Sequence, residues 1–255
     1  MISCQTQMMD VIKLNRILLE DIKDIIVDDE NKIITVNIND NFDILINDND
    51  YKYNFVLNNS TSNILFDVEK NNDLNIDINI NKSKLVLNIV SFCGVSENIN
   101  AKIKEEGSSL EICNSQISKN TIKVDINVDH MSSNVSSDIY NCIVTEDNAS
   151  CNIKVTSKVG KGIKKCKLNQ DSKIISNNKT NKNKIEPILL IDEYDVNASH
   201  SAFIGKFNED YLFYLMSRGL SKKDSENILL NAFLIGKLKL SNEEKEKLKS
   251  KIYHI

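Results

Sequence analysis

DVNASHSAFIGKFNEDYLFYLMSRGLSKKDSENILLNAF, residues 195–233, changes its hydrophobic period partway along. From Val196 to Ile204 the even positions are Val196, Ala198, His200, Ala202 and Ile204, so a strand here puts one imidazole on the apolar face. After Phe207 the pattern becomes helical. Asn208 is an N-cap with Glu209 and Asp210 in the first turn, and Phe207 and Leu212 stand at hydrophobic-staple spacing. Gly219 follows as a C′ residue, and Ser221 with Asp224 opens a second helix that runs to Gly236. Ser241 and Glu244 repeat the device for a third, charged helix ending near Tyr253.

Upstream, from about residue 32 to 194, the period is two. IITVNI (33–38), FDILI (42–46), YNFVL (53–57), NILFDV (63–68), LNIDINI (74–80), KLVLNIV (84–90) and IKVDINV (122–128) alternate Ile, Leu or Val with Asn, Asp, Lys or Thr. ILLIDEY, just after the lone Pro187, reads as a further strand, and the turns are rich in Asn, Asp and Ser. A meandering antiparallel sandwich and a β-solenoid both fit such a series. Before it, Met8, Val11, Ile12, Leu14, Ile17, Leu18, Ile22 and Ile25 lie at helical spacing, which predicts an amphipathic helix over residues 5–25. The expected division is an N-terminal helical segment (1–30), a β core (31–206) and a C-terminal helical domain (207–255).

Composition narrows the function classes. A net charge of −4 and a pI near 5.5 argue against a general nucleic-acid binder. The locally basic tract around Lys161, Lys164, Lys165 and Lys167 lacks interleaved aromatics and reads as a solvated face. No apolar run reaches the roughly 18 residues of a membrane span, and no secretory signal pattern opens the chain. Cys4, Cys93, Cys113, Cys142, Cys151 and Cys166 include no CxxC pair, so reduced thiols and a cytoplasmic location are expected. Neither GxxxxGK[ST] nor GxGxxG occurs, and none of His130, His200 and His254 sits in a nucleophile-elbow context. An autonomous enzyme is not expected, and Asp192-Glu193 reads as a pair of solvated turn acids.

Ser199-His200, Ile204-Gly205, Leu212-Phe213-Tyr214-Leu215, Ser217-Arg218-Gly219-Leu220 and Ala232-Phe233, in that order and spacing, closely resemble the C-terminal signature of the SufB/SufD family. Those proteins are scaffold subunits of the SUF iron–sulfur cluster assembly machinery. His130, Ser132, Tyr140, Ala149-Ser150, Gln170 and Leu189 to Tyr194 extend the resemblance, which covers about residues 120–240. It implies a right-handed parallel β-helix core with a C-terminal helical domain. It also implies a SufC-type ABC ATPase as partner and a SufB/SufD-type subunit, distinct or a second copy, with which a transient iron–sulfur cluster is shared. Neither nucleic acid nor membrane is implied.

The chain departs from the SufB pattern at two positions. SufB-type members tend to carry a glutamate after the histidine, where this chain has Ser201, and a cysteine near Gln170-Asp171, where the nearest thiol is Cys166. The resemblance is therefore to the SufD-type half. On residue type alone, His200 is either a packed core histidine or a nitrogen ligand for iron. The family places its histidine near the subunit interface where the cluster forms, which makes His200 the leading candidate ligand and Cys166 a second. A buried cysteine is more often a small hydrophobe, which holds for Cys113 and Cys142 too. The helix 209–218 is apolar on nearly all sides. Some of that surface must meet the β core or a partner, and the resemblance implies that this helical region docks the ATPase, with Phe207, Leu212, Phe213, Tyr214, Arg218 and Phe233 as the candidate residues.

Overall fold

The computed structural model describes residues 12–14, 25–47, 49–176 and 180–252. From β3 (Ile33–Ile38) onward, successive strands pass alternately to two sheets. The first holds β1 (Ile12–Leu14), β4 (Asp43–Ile46), β6 (Thr61–Val68), β8 (Lys84–Ser91), β10 (Ser109–Ser118), β12 (Ser136–Thr145), β14 (Cys166–Ser176) and β16 (Val196–Gly205), in that order. The second holds β2 (Ile25–Asp28), β3 (Ile33–Ile38), β5 (Lys52–Asn58), β7 (Leu74–Asn81), β9 (Glu97–Ile103), β11 (Ile122–His130), β13 (Cys151–Val159) and β15 (Lys184–Ile191). From β3 onward every pairing is parallel, so each turn stacks on the last as a parallel β-solenoid, one of the two architectures the alternation allowed.

The alternation becomes columns of like residues running along the solenoid. Ile44, Ile64, Leu87, Ile112 and Ile139 lie in register on the inner face of the first sheet, each almost completely buried. At the turns, a left-handed residue bends the chain from the second sheet into the first: Asn59, Lys82, Gly107, Asn134 and Lys165 all have positive φ. The next residue in each case, Ser60, Ser83, Ser108, Val135 or Cys166, is buried at the corner. The serines form a ladder, with Ser60 N–H donating to Ser83 Oγ (3.0 Å) and Ser83 N–H to Ser108 Oγ (3.3 Å). That is why the turns are rich in Asn and Ser.

Another corner fixes Gly94. Its φ is +75°, and a Cβ there would lie 2.0 Å from Ser118 Oγ and 3.1 Å from the Ser118 Cα. Gly94→Ala is expected to lower stability by about 2–4 kcal/mol, combining backbone strain with overpacking. Urea unfolding with an unchanged m-value checks this.

Inside, the end nearest the N-terminus is aromatic: the Tyr53 and Phe66 rings meet edge-on at 5.1 Å. Further along, polar groups enter the interior. Asn114 Nδ2 donates to Glu97 Oε2 (2.8 Å) and to Asn141 Oδ1 (3.2 Å), and Asn141 Nδ2 donates to Ser172 Oγ (3.0 Å). Gln116 completes the group by donating to Glu97 and accepting from Val95 N–H.

Three helices follow the last strand: α1 (Glu209–Ser217), α2 (Lys222–Ile235) and α3 (Asn242–Ile252). The predicted caps are present. Asn208 accepts from Asp210 N–H (2.8 Å) and Ser221 from Asp224 N–H (3.1 Å). Ser241 and Glu244 cap reciprocally at 3.3 and 2.9 Å. α2 and α3 lie on the outer face of the first sheet, where Leu234, Ile235, Leu238, Leu248 and Ile252 form a second apolar cluster with Leu65, Val90, Cys113 and Ile117.

The structure corrects the sequence reading at two places. The helix predicted over residues 5–25 falls mostly outside the described residues. Within the expected helical segment 1–30, Ile12–Leu14 and Ile25–Asp28 are strands, running antiparallel to β4 and β3. Ile25 and Val27 pack against the solenoid core rather than forming a helix face. Pro187 lies within β15 rather than before it. A sheet-terminal strand tolerates the missing N–H.

Candidate functional site

The two ends of the solenoid are built differently. At the start, both sheets finish in short antiparallel strands, β1 and β2, of three and four residues. At the far end they finish in β15 and β16, eight and ten residues long and parallel to their neighbours, each with one edge carrying no strand among the described residues. Long unpaired edges are templates for pairing with another chain, and natural sheets usually blunt them. Here Phe203 and Ile204 on β16 and Leu190 on β15 are each about half exposed.

His200 stands in the middle of that end. It continues the inner column Ile112–Ile139–Gln170, in register with Gln170. Gln170 is fully buried, its Nε2 held by Ser157 Oγ (2.8 Å) and the Ile188 carbonyl (3.2 Å). His200 is exposed because, among the described residues, no further turn covers it. The face deduced from the alternation holds, whereas the packed-core alternative does not. On the outer side of β16, Ser199 and Ser201 bond Asn169 (3.1 Å) and Asp171 (2.6 Å) on β14, tying the last strand down.

Cys166 does not join His200. It pairs with Val196, four residues along the strand, a separation of roughly 13 Å. Its thiol is buried at the corner, directed at the Ser132 (3.6 Å) and Lys164 (3.8 Å) carbonyls, and burial raises its pKa. Among the described residues, no three His, Cys, Asp or Glu side chains converge as a metal site. His130 is a core residue: burial lowers its pKa, and its ring nitrogens meet the Lys158 carbonyl (3.0 Å) and Ser137 Oγ (2.9 Å). Glu193 braces a turn, accepting from Tyr194 N–H (2.9 Å) and Gly162 N–H (3.0 Å), which together hold its pKa low.

The candidate docking residues separate into two groups. Phe207 and Phe233 meet edge-on at 5.8 Å, partly buried against the second apolar cluster, and Leu212 is half-buried. Phe213 and Tyr214 are 75% and 54% exposed. Arg218 lies over the Tyr214 ring at 5.2 Å and donates to its hydroxyl at 3.1 Å. Tyr211 and Met216 enlarge the patch, and α1 buries no residue at all. The signal for these two was already in the sequence, since a helix apolar on every side has more apolar surface than one packing face uses. No described helix is long and apolar enough to cross a membrane.

Fold and site thus define a parallel β-solenoid with one open, histidine-bearing end and a capped helical tail on its outer face. A profile described as SUF system FeS cluster assembly, SufBD core domain, matches residues 71–233, and the chain belongs to the SufB/SufD family. It is similar to the iron–sulfur cluster assembly protein SufD of Bacillus subtilis, 36% identical over 91 residues, covering 36% of this chain and 21% of that protein. A SufBD family protein of Pyrococcus horikoshii is 44% identical over 52 residues (20% and 11% of the two chains). SufD of Escherichia coli is 38% identical over 48 (19% and 11%). The aligned stretches span about a fifth or less of these three relatives.

Proposed function

We propose that the protein is a SufD-like scaffold subunit for iron–sulfur cluster assembly in the cytoplasm, without catalytic activity of its own. The observation that carries this reading is the bare β15–β16 end with His200 exposed at its centre. A SufB/SufD-type subunit, distinct or a second copy, pairs along that edge. His200 supplies one nitrogen ligand to the nascent cluster, which is cargo. A single imidazole does not hold a cluster, so the paired subunit provides the thiolates. The exposed face of α1 docks a SufC-type ABC ATPase, whose phosphoryl chemistry drives the assembly.

His200→Ala tests the ligand role. Anaerobic reconstitution with iron, sulfide and the partner subunits should then yield several-fold less cluster by visible absorption, with the fold and ATPase binding unchanged. Undiminished cluster removes His200 from the chemistry. It would favour a second reading, supported by the distance of Cys166, in which the solenoid only stabilises its partner ATPase.

A further inference from the structure

Cys113 on β10 and Cys142 on β12 point outward from the first sheet, yet they are only 0% and 6% exposed. Cys113 lies in register with Tyr140, and Ser115 with Cys142, so the thiols are diagonal neighbours on adjacent strands. Their Cα atoms are about 8 Å apart. A disulfide needs about 7 Å or less, so they remain two thiols.

An outward side chain on a solenoid meets water unless something lies over it, and here that is the helical tail. Cys113 packs in the cluster with Leu234, Leu238 and Leu248, and Ser115, beside Cys142, donates to the Leu234 carbonyl at 2.7 Å. Burial pushes Cys113 up to about 12 and Cys142 up to about 11, which keeps both thiols protonated and unreactive.

The tail's attachment is smaller and more polar than the solenoid interior. The Lys239 backbone is clasped by two asparagines, its N–H donating to Asn88 Oδ1 (2.9 Å) and its carbonyl accepting from Asn63 Nδ2 (2.8 Å). Lys239 pairs with Glu111 (3.3 Å), and Lys251 with Asp67 (2.7 Å) and Glu69 (2.8 Å), all reachable by water. A unit held by few apolar contacts and solvated polar ones opens at lower free energy than the core it rests on.

We propose that α2 and α3 form a removable cover over a dithiol, Cys113 and Cys142, and that both thiols become reactive together when the cover lifts while the solenoid stays folded. This goes beyond the scaffold reading and does not depend on it. Alkylation of the intact protein by iodoacetamide, followed residue by residue by peptide mass spectrometry, provides the test. Cys151, fully buried in the solenoid interior, is the clock for global unfolding. Cys113 and Cys142 should react at one shared rate, at least about tenfold faster than Cys151. Their labelling should also depend less steeply on urea. Leu238→Ala should raise that shared rate a further tenfold or more without moving Cys151. Should this variant unfold as a whole, the comparison in the unaltered protein decides. Labelling of both thiols at the Cys151 rate and urea slope, or a response of only one of them, overturns the proposal.

Discussion

Replacing Glu97 by glutamine is expected to abolish a fall in stability that the native protein shows between about pH 5 and pH 8. Glu97 is completely enclosed, and burial pushes its carboxyl from about 4.5 up to about 8 against the opposing effect of the Gln116 hydrogen bond. A folded-state value above the unfolded one means that the native chain holds a proton the unfolded chain has released. Stability is then fully present below about 4.5 and is lost as pH rises through 8. The ceiling on the slope is ~1.4 kcal/mol per pH unit, so several kcal/mol separate the two limits. The side chains facing Glu97 are Asn114 and Gln116 from β10, and Cys151 from β13, whose thiol is raised by burial and by Glu97 itself. None of these titrates inside the window. His130 does, with the opposite sign: its lowered value removes stability as pH falls below its ordinary range. The difference between the unfolding free energies of the two proteins therefore isolates Glu97. Asn114 and Gln116 both donate to Glu97, and glutamine keeps only one acceptor oxygen for them, so the variant should lie below the native protein at pH 5, and that gap should close and reverse as pH rises to 8. Parallel pH profiles would show that the carboxyl is not held neutral.

The second large effect concerns the tail. Phe213→Asp on α1 should leave the unfolding free energy within about 0.5 kcal/mol of its native value, because the ring is 75% exposed. It should weaken binding to a SufC-type ATPase by roughly 30-fold or more, the loss expected when an aromatic anchor at the centre of an interface becomes a charge. Tyr211, Tyr214 and Met216 would stay in place, with Arg218 still stacked on Tyr214. Titration calorimetry on the purified pair reads the change. Full retained affinity would move the docking surface elsewhere on the chain.

How much could be read from the sequence depended on which side of each strand was buried. β3, β5 and β7 alternate cleanly, because one face packs inward and the other meets water. β10 and β12 do not. Their outer faces lie under the helices, while Asn114, Gln116, Ser137 and Asn141 occupy inner positions, so polarity no longer reports side. β9 is hidden in the same way by Glu97 and Ala101 pointing inward. No fixed repeat was visible either. Thr61, Lys84, Ser109, Ser136, Lys167 and Asn197 lie in register, yet successive turns take 23, 25, 27, 31 and 30 residues. The helix caps were fully legible because they are local. The position of His200 on the inner face was legible from alternation. Its exposure was not, because that depends on β16 being the final strand of its sheet.

The contrast between the short reversed strands at one end and the long bare ones at the other has a consequence for assembly. A rod that is adhesive at both tips grows into a fibre, whereas one adhesive at a single tip uses up its only free tip in the first encounter. Under the pairing proposed for β15 and β16, association would therefore stop at two, leaving the blunted tips at the outer extremities of the pair.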